Sequence, residues 1–359
     1  MNEVFLFLKR WGLVVSMLTG ASAYFLYINI DALEGTRALA NNVVQVAQPT
    51  LLFLMLLLTF LKVKPSDLHL RRWQMGGLAL QGSFWVLGGL ALMYIPMSYT
   101  WRLGMEGFLL CMICPTATAA AVITGKLGGN QGSLTMYIIL ANLMASMLIP
   151  AMIPLIYQNS DITFWATFSQ IVLKIFPLLF LPFVCAIIMR RLTPGLARVL
   201  TGIPNAAFYL WMIALSMAIA VSVKNMHHSL NAGHGLLPQV AIATGSLLAC
   251  LIQFSSGRWM GKHLGRHAED EVISATQGLG QKNTIFSIWC GYSFMDPLSS
   301  IAGGFYSIWH NVYNSYQLAK RHPGSVAKRC GLIKKYYLCI HGNKDIRTVS
   351  PSSTSQRNP

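Results

Sequence analysis

Charge is scarce in this chain. Lys, Arg, Asp and Glu make up 11% of its 359 residues and only 11 residues are acidic, against 54% apolar side chains and a mean hydropathy of +0.51. Soluble domains carry about 25% charged residues, so a soluble globule is excluded in favour of a polytopic membrane protein. A disulfide framework is missing too. The seven cysteines (Cys111, Cys114, Cys185, Cys250, Cys290, Cys330, Cys339) are scattered, five of them inside apolar runs, and read as packing residues. No catalytic triad, phosphate-binding loop or HExxH pattern occurs, and the apolar runs hold neither a pair of catalytic acids nor a metal-ligand cluster. An enzyme is therefore not expected. His227, His228 and His234 share the "HHSLNAGH" stretch, but without a Cys or an acid nearby they read as a solvated loop, not a metal site.

What is present is apolar length. Ten apolar segments lie at about residues 11–28, 43–61, 74–97, 104–124, 133–157, 163–189, 203–223, 236–260, 272–293 and 298–318. Each approaches the ~20 residues that a helix needs to cross ~30 Å of hydrocarbon. The first follows Lys9 and Arg10 and lacks a small-residue cleavage site, so it reads as a retained span. The formal charge of +16 would suit a polyanion, but the 27 Lys and Arg lie almost entirely between the runs. With the N-terminus inside, all of them except Arg37, Arg102, Lys224, Lys174 and Lys282 fall on inside segments. The charge is thus an orientation signal. It implies a multi-pass membrane protein with both termini cytoplasmic and no nucleic-acid partner.

Ten spans divide into two sets of five, and an odd set forces the second to start from the opposite face, the arithmetic of an inverted repeat. The expected organisation is a first five-helix repeat over 1–159, a second over 160–319, and a basic, disordered cytoplasmic tail over 320–359 rich in Lys, Arg, Ser and Pro. The fourth span of each half is interrupted, by "CPTATAAAVITG" from Cys114 and by "QGLGQKNT" from Gln277. Pro115 cannot donate a backbone hydrogen bond and Gly278 and Gly280 are poor helix formers, so both spans should unwind near mid-membrane. Matching breaks are where secondary carriers place their sites. Lys282 stands inside the second. Unpaired at membrane depth it would cost a few kcal/mol, so it should find acceptors or give up its proton. Glu106 and Asp296, the candidate counter-charges, sit near span ends and read as interfacial, and Lys174 should snorkel.

Three stretches, "CPTATAAAVITGKLGGN" (Cys114 to Asn130), "GLGQKNT" (Gly278 to Thr284) and "FYSIWHN" (Phe305 to Asn311), resemble the bile acid:sodium symporter superfamily, in particular its bacterial ten-helix members. The resemblance implies an all-α fold of two inverted five-helix repeats, broken helices four and nine crossing in a core domain, and transport of an organic anion by alternating access. It also exposes departures. Where sodium-using members resemble C-P-G-G-x-A-S-N, the Ser and Asn positions are here Ala120 and Ala121. Against the family's E-x-G-M-Q-N, the acid becomes Gly278 and the ligating Gln becomes Lys282, while the following helix places Leu134 and Ile138 at the Ser and Thr positions. A register shift there would bring Ser133 and Thr135 in instead. Gln81 matches the third-helix glutamine and should face Lys282.

A hard cation needs several oxygen ligands, which methyl groups do not supply. Conventional sodium coupling is therefore not expected, and no cofactor is. Lys282 would stand in for bound sodium, and proton coupling is possible if its proton comes and goes. The ion-site remnants are Gln81, Ala120, Ala121, Gly278, Gln281 and Lys282. Substrate contacts are expected from Thr116, Thr118, Gln281, Lys282, Asn283, Thr284, His310 and Asn311. The rival reading is a non-transporting membrane receptor or scaffold that kept the fold.

Overall fold

The computed structural model describes residues 2–63, 68–157, 163–203, 206–233, 235–265 and 267–321. Lys64, the expected repeat boundary near Asn159, His234, Arg266 and the tail from 322 onward, with Cys330, Cys339 and His341, lie outside the described residues. Thirteen helices account for the rest: α1 (Asn2–Asn29), α2 (Arg37–Leu61), α3 (Arg72–Tyr94), α4 (Tyr99–Ile113), α5 (Ala120–Lys126), α6 (Gln131–Ile156), α7 (Phe164–Leu192), α8 (Pro194–Gly202), α9 (Ala206–Asn231), α10 (Leu237–Leu264), α11 (Glu269–Gly280), α12 (Thr284–Phe294) and α13 (Ile301–Arg321). Short 3-10 turns at Asp31–Thr36 and Pro297–Ser300 lead into α2 and α13. Among the described residues no strand forms beyond one isolated two-residue bridge, so the chain is all-α. Met1–Tyr313 form one compact unit and Asn314–Pro359 are assigned to a second; every site residue discussed below lies in the first.

Among the described residues, six helices are long and apolar enough to cross a membrane: those over α2, α3, α6, α7, α9 and α10. The fourth and ninth apolar runs are each two short helices, α4 with α5 and α11 with α12, separated by unwound backbone. Helix α8 was not anticipated from the sequence. Its cause is Pro194, which takes a first-turn position just after Thr193, where α7 has already ended.

Two groups of helices pack together. In one, α1 lies on α9, and α2 on α7 and α9; in the other, α3, α4, α6, α10 and α11 surround one another, and α6 meets α7 between the groups. Apolar residues face both lipid and interior, so helix association there rests on close van der Waals contact and small residues. Helix α10 shows how. Gly257, Gly261 and Gly265 recur every fourth residue and so share one face. A Cβ on Gly257 would come within 2.5 Å of the Ala275 carbonyl oxygen, and one on Gly261 within 2.6 Å of the Val272 Cα. Backbone cannot step aside as a flexible side chain can. Gly261→Val is therefore expected to lose at least about 1–3 kcal/mol of stability, read as a fall in the detergent unfolding midpoint. Leu251→Val, at a position 53% exposed on the same helix, should change it little. Equal midpoints for the two variants would show that the α10–α11 contact is loose.

Candidate functional site: the crossing of two interrupted helices

Helix α4 ends where proline chemistry ends it. Cys114 precedes Pro115 and takes an extended ψ of 131°, as a residue before proline prefers. Helix α11 ends at Gly280, and Gln281 is likewise extended, with φ −92° and ψ 106°. The two extended segments meet side by side as an antiparallel bridge between Thr116 and Lys282. Ala117 N donates to Gln281 O and Asn283 N donates to Pro115 O, both at 2.9 Å. Side chains take up further carbonyls released by the breaks: Thr116 Oγ1 donates to Gly278 O at 2.6 Å, Cys114 Sγ to Asn283 O at 2.9 Å, and Tyr306 Oη to Gly280 O at 2.8 Å. Unwound backbone at this depth persists because its polar groups are paired inside the protein. Beyond the bridge, the Asn283 side chain accepts from Phe286 N at 3.2 Å and starts α12. The crossing thus gathers the C-terminal ends of α4 and α11 with the N-terminal ends of α5 and α12, opposite partial charges meeting at one place.

Lys282 is 1% exposed, and its Nζ has no hydrogen-bond partner among the described residues. Its polar neighbours are the thiols of Cys114 and Cys111 on the last turns of α4.

Gln81 does not hydrogen-bond to the lysine, contrary to the expectation that it would face Lys282. Its Nε2 donates to Gln253 Oε1 at 3.0 Å and its Oε1 accepts from Tyr137 Oη at 3.0 Å. Gln253 Nε2 in turn donates to Cys111 O at 3.1 Å and to Tyr306 Oη at 3.2 Å. Lys282 points toward α4, so the glutamine finds a neutral partner on α10. A fully buried chain of amides and hydroxyls results, running from α6 through α3 and α10 to α13 and ending on the Gly280 carbonyl. Sequence reasoning missed Tyr137, Gln253 and Tyr306. One signal existed: Tyr137 and Asn142 repeat the spacing of Tyr306 and Asn311, and both asparagines donate to the carbonyl four residues back, Ile138 O and Ser307 O, at 2.7 Å.

The other expected contacts distribute unevenly. Thr116, Gln281, Asn283 and Thr284 are buried in or beside the bridge, and Thr118 is half-buried in the turn leading to α5. Gln281 bonds back to the Gln277 side chain. His310 is 7% exposed, with its ring 5.6 Å from that of Tyr306, so it reaches the crossing through that tyrosine; Asn311 lies one residue further along α13. At the matched ion positions, Ala120, Leu134 and Ile138 are fully buried and Ala121 is half-buried. A Cβ on Gly278 would meet Leu134, Trp73 and Tyr137 carbon atoms at 3.1 Å, a space filled by apolar groups. The hydroxyls of Ser133 and Thr135 donate elsewhere, to Glu271 at 2.8 Å and to Gln131 O at 2.7 Å. Lys174 Nζ lies 5.8 Å from the Phe294 ring centre, and His227 is held by Tyr24 and Asn231. Two apolar grooves of about 520 and 690 Å³ run along α3, α4 and α10, and neither is lined by a crossing residue.

An all-α chain with several apolar helices of membrane-crossing length, built around two interrupted helices that pair through their backbones, has the construction of a secondary transporter. The chain belongs to the SBF-like CPA transporter family, of the bile acid:sodium symporter type, whose sequence profile matches residues 32–293. No curated protein matches it.

Proposed function

We propose that this protein is a secondary active transporter that moves an organic anion across the inner membrane by alternating access, without conventional sodium coupling. The observation that carries this reading is Lys282. A buried amine without acceptors occupies the crossing, at the place where sodium-using relatives are expected to carry an ion ligand. The matched positions do not fit sodium: Ala120, Leu134, Ile138 and Gly278 offer methyl groups or closely packed carbon, and a hard cation needs oxygen. A buried amine that can carry a positive charge is a group with which a carrier could orient an anion. Thr116, Thr118, Gln281, Asn283, Thr284, His310 and Asn311 supply the polar contacts around it, and the substrate and the bilayer are the partners this reading calls for.

The reading includes two inverted five-helix repeats, 1–159 and 160–319, followed by a separate tail over 320–359. Three pairings support it. Thr116 pairs with Lys282, Gln81 on α3 pairs with Gln253 on α10, and each glutamine bonds a tyrosine of a later helix, Gln81 accepting from Tyr137 on α6 and Gln253 donating to Tyr306 on α13. The basic residues between spans favour both termini on the cytoplasmic side.

Uptake of labelled organic anions, including a bile acid and pantoate, into proteoliposomes under a sodium, proton or no gradient tests the proposal. Uptake of at least one anion is expected, at a rate indifferent to sodium. Sodium-driven uptake would overturn the ion assignment, and binding without uptake would favour a receptor built on the same fold.

A further inference from the structure

Two buried acids occupy corresponding places in the two interrupted pairs, Glu106 on α4 and Glu271 on α11, each about three helical turns before its crossing residue. Glu271 is complete. Its Oε2 accepts from Trp73 Nε1 at 2.7 Å and Ser133 Oγ at 2.8 Å; its Oε1 accepts from Asn130 Nδ2 at 3.4 Å and forms an ion pair with Arg71 Nε at 3.1 Å. One carboxylate faces one guanidinium there, and both oxygens are filled.

Glu106 is not complete. Its Oε1 accepts from Arg102 Nε at 3.1 Å, but Oε2 has no partner although the residue is 1% exposed. The charged and titratable groups near it come from three places. Arg102 and Tyr99 are on α4 itself, Tyr157 ends α6, and Asp296 stands in the turn between α12 and α13. The Tyr157 hydroxyl lies beside the carboxyl without meeting hydrogen-bond geometry, and the Arg102 guanidinium sits 5.7 Å from the Tyr157 ring centre. Asp296 accepts from Tyr99 Oη at 3.2 Å and from Leu298 N at 2.9 Å. The one guanidinium is paired with Glu106, and Asp296 stands nearby as a second carboxylate with no cation of its own among the contacts described. Like charges so arranged do not both stay ionised easily.

We infer that the Glu106 cluster is a proton-binding site, with Glu106 Oε2 as the atom that takes the proton. A proton delivered from water at that end of the helices converts carboxylate to carboxylic acid and brings the cluster of Glu106, Asp296 and Arg102 to zero net charge. The new O–H then has Tyr157 and Asp296 within its surroundings as acceptors, which satisfies the orphaned oxygen. Glu271, with its own guanidinium and two neutral donors, has no such vacancy in its charge balance. The site is independent of Lys282 and of any particular substrate.

Infrared difference spectroscopy of the purified full-length protein during a pH titration tests this without any transport assay. The expected result is a protonated-carboxyl C=O band that appears on acidification, shifts in heavy water, disappears in Glu106→Gln and remains in Glu271→Gln. Asp296→Asn, which can still cap Leu298, removes the neighbouring like charge, so the band should then titrate at lower pH. A band that survives in Glu106→Gln overturns the assignment, as does a wild-type spectrum without one. An Asp296→Asn midpoint equal to that of the wild type also overturns it, whether or not Glu106→Gln folds. So does a carboxylate signal that follows sodium concentration and ignores pH, which would make the cluster a cation site.

Discussion

Lys282→Met is expected to weaken uptake roughly tenfold to hundredfold at sub-saturating anion while making the protein more stable. The two effects share one cause. Lys282 Nζ is buried without an acceptor, and an unsatisfied buried donor costs about 1–3 kcal/mol, more when charged. Methionine has a similar length and no polar hydrogen, so the substitution removes that cost and keeps the packing against Cys111 and Cys114. A rise of about 1–3 kcal/mol in unfolding free energy should follow, seen as a higher unfolding midpoint in detergent. Uptake loses a charge-assisted contact to the anion worth about 1.5–3 kcal/mol, which corresponds to roughly a tenfold to hundredfold fall in affinity. The combination separates a functional lysine from a structural one. Had the ammonium been bonded to the carbonyls freed at the breaks, its removal would destabilise the crossing. A lower midpoint in Lys282→Met would therefore sink the proposed role, as would unchanged uptake.

Glu271→Ala is expected to produce the largest loss of stability of any single substitution considered. Glu271 joins three elements: Trp73 from α3, Asn130 and Ser133 from the start of α6, and its own helix α11, with Arg71 closing the ion pair. Removing it leaves the buried Trp73 and Ser133 donors and the Arg71 guanidinium without their acceptor. Breaking a buried pair by deleting one partner costs about 3–5 kcal/mol. Arg71 is 39% exposed at its side chain, so most of that loss comes from the two buried neutral donors and less from the ion pair. Glu271→Gln keeps an acceptor oxygen and should lose about half as much. Thermal unfolding of the two variants beside the wild type measures both. A loss below about 1 kcal/mol in Glu271→Ala would show that the three elements are held by other contacts.

Much of the architecture was legible in the residues because hydrophobic length and backbone chemistry are local properties. Pro115 and the glycines around Leu279 marked the unwound segments, and the structure places α4–α5 and α11–α12 on either side of them. The pairing between them was harder to read. That Thr116 faces Lys282 depends on how two distant segments approach, which no local pattern encodes. Gln81 was expected to face the lysine because it matches the third-helix glutamine of the family that the sequence resembles. Its true partner, Gln253, lay unremarked in an apolar run and is found only once α3 and α10 are seen to pack. Glu271 was overlooked for a different reason. It follows Glu269 and Asp270 at a helix start, where acidic residues are ordinary, and only burial against Trp73 distinguishes it.

The bridge at the crossing is made by main-chain amides and carbonyls, Ala117 to Gln281 and Asn283 to Pro115. A contact of that kind is indifferent to which side chains stand between its ends. Position 282, whose amine has no hydrogen-bond partner among the described residues, can therefore exchange one chemistry for another while the scaffold that presents it keeps its shape; Thr116, whose hydroxyl holds the Gly278 carbonyl, is less free to change. The frame accommodates an amine at 282 without being built around it.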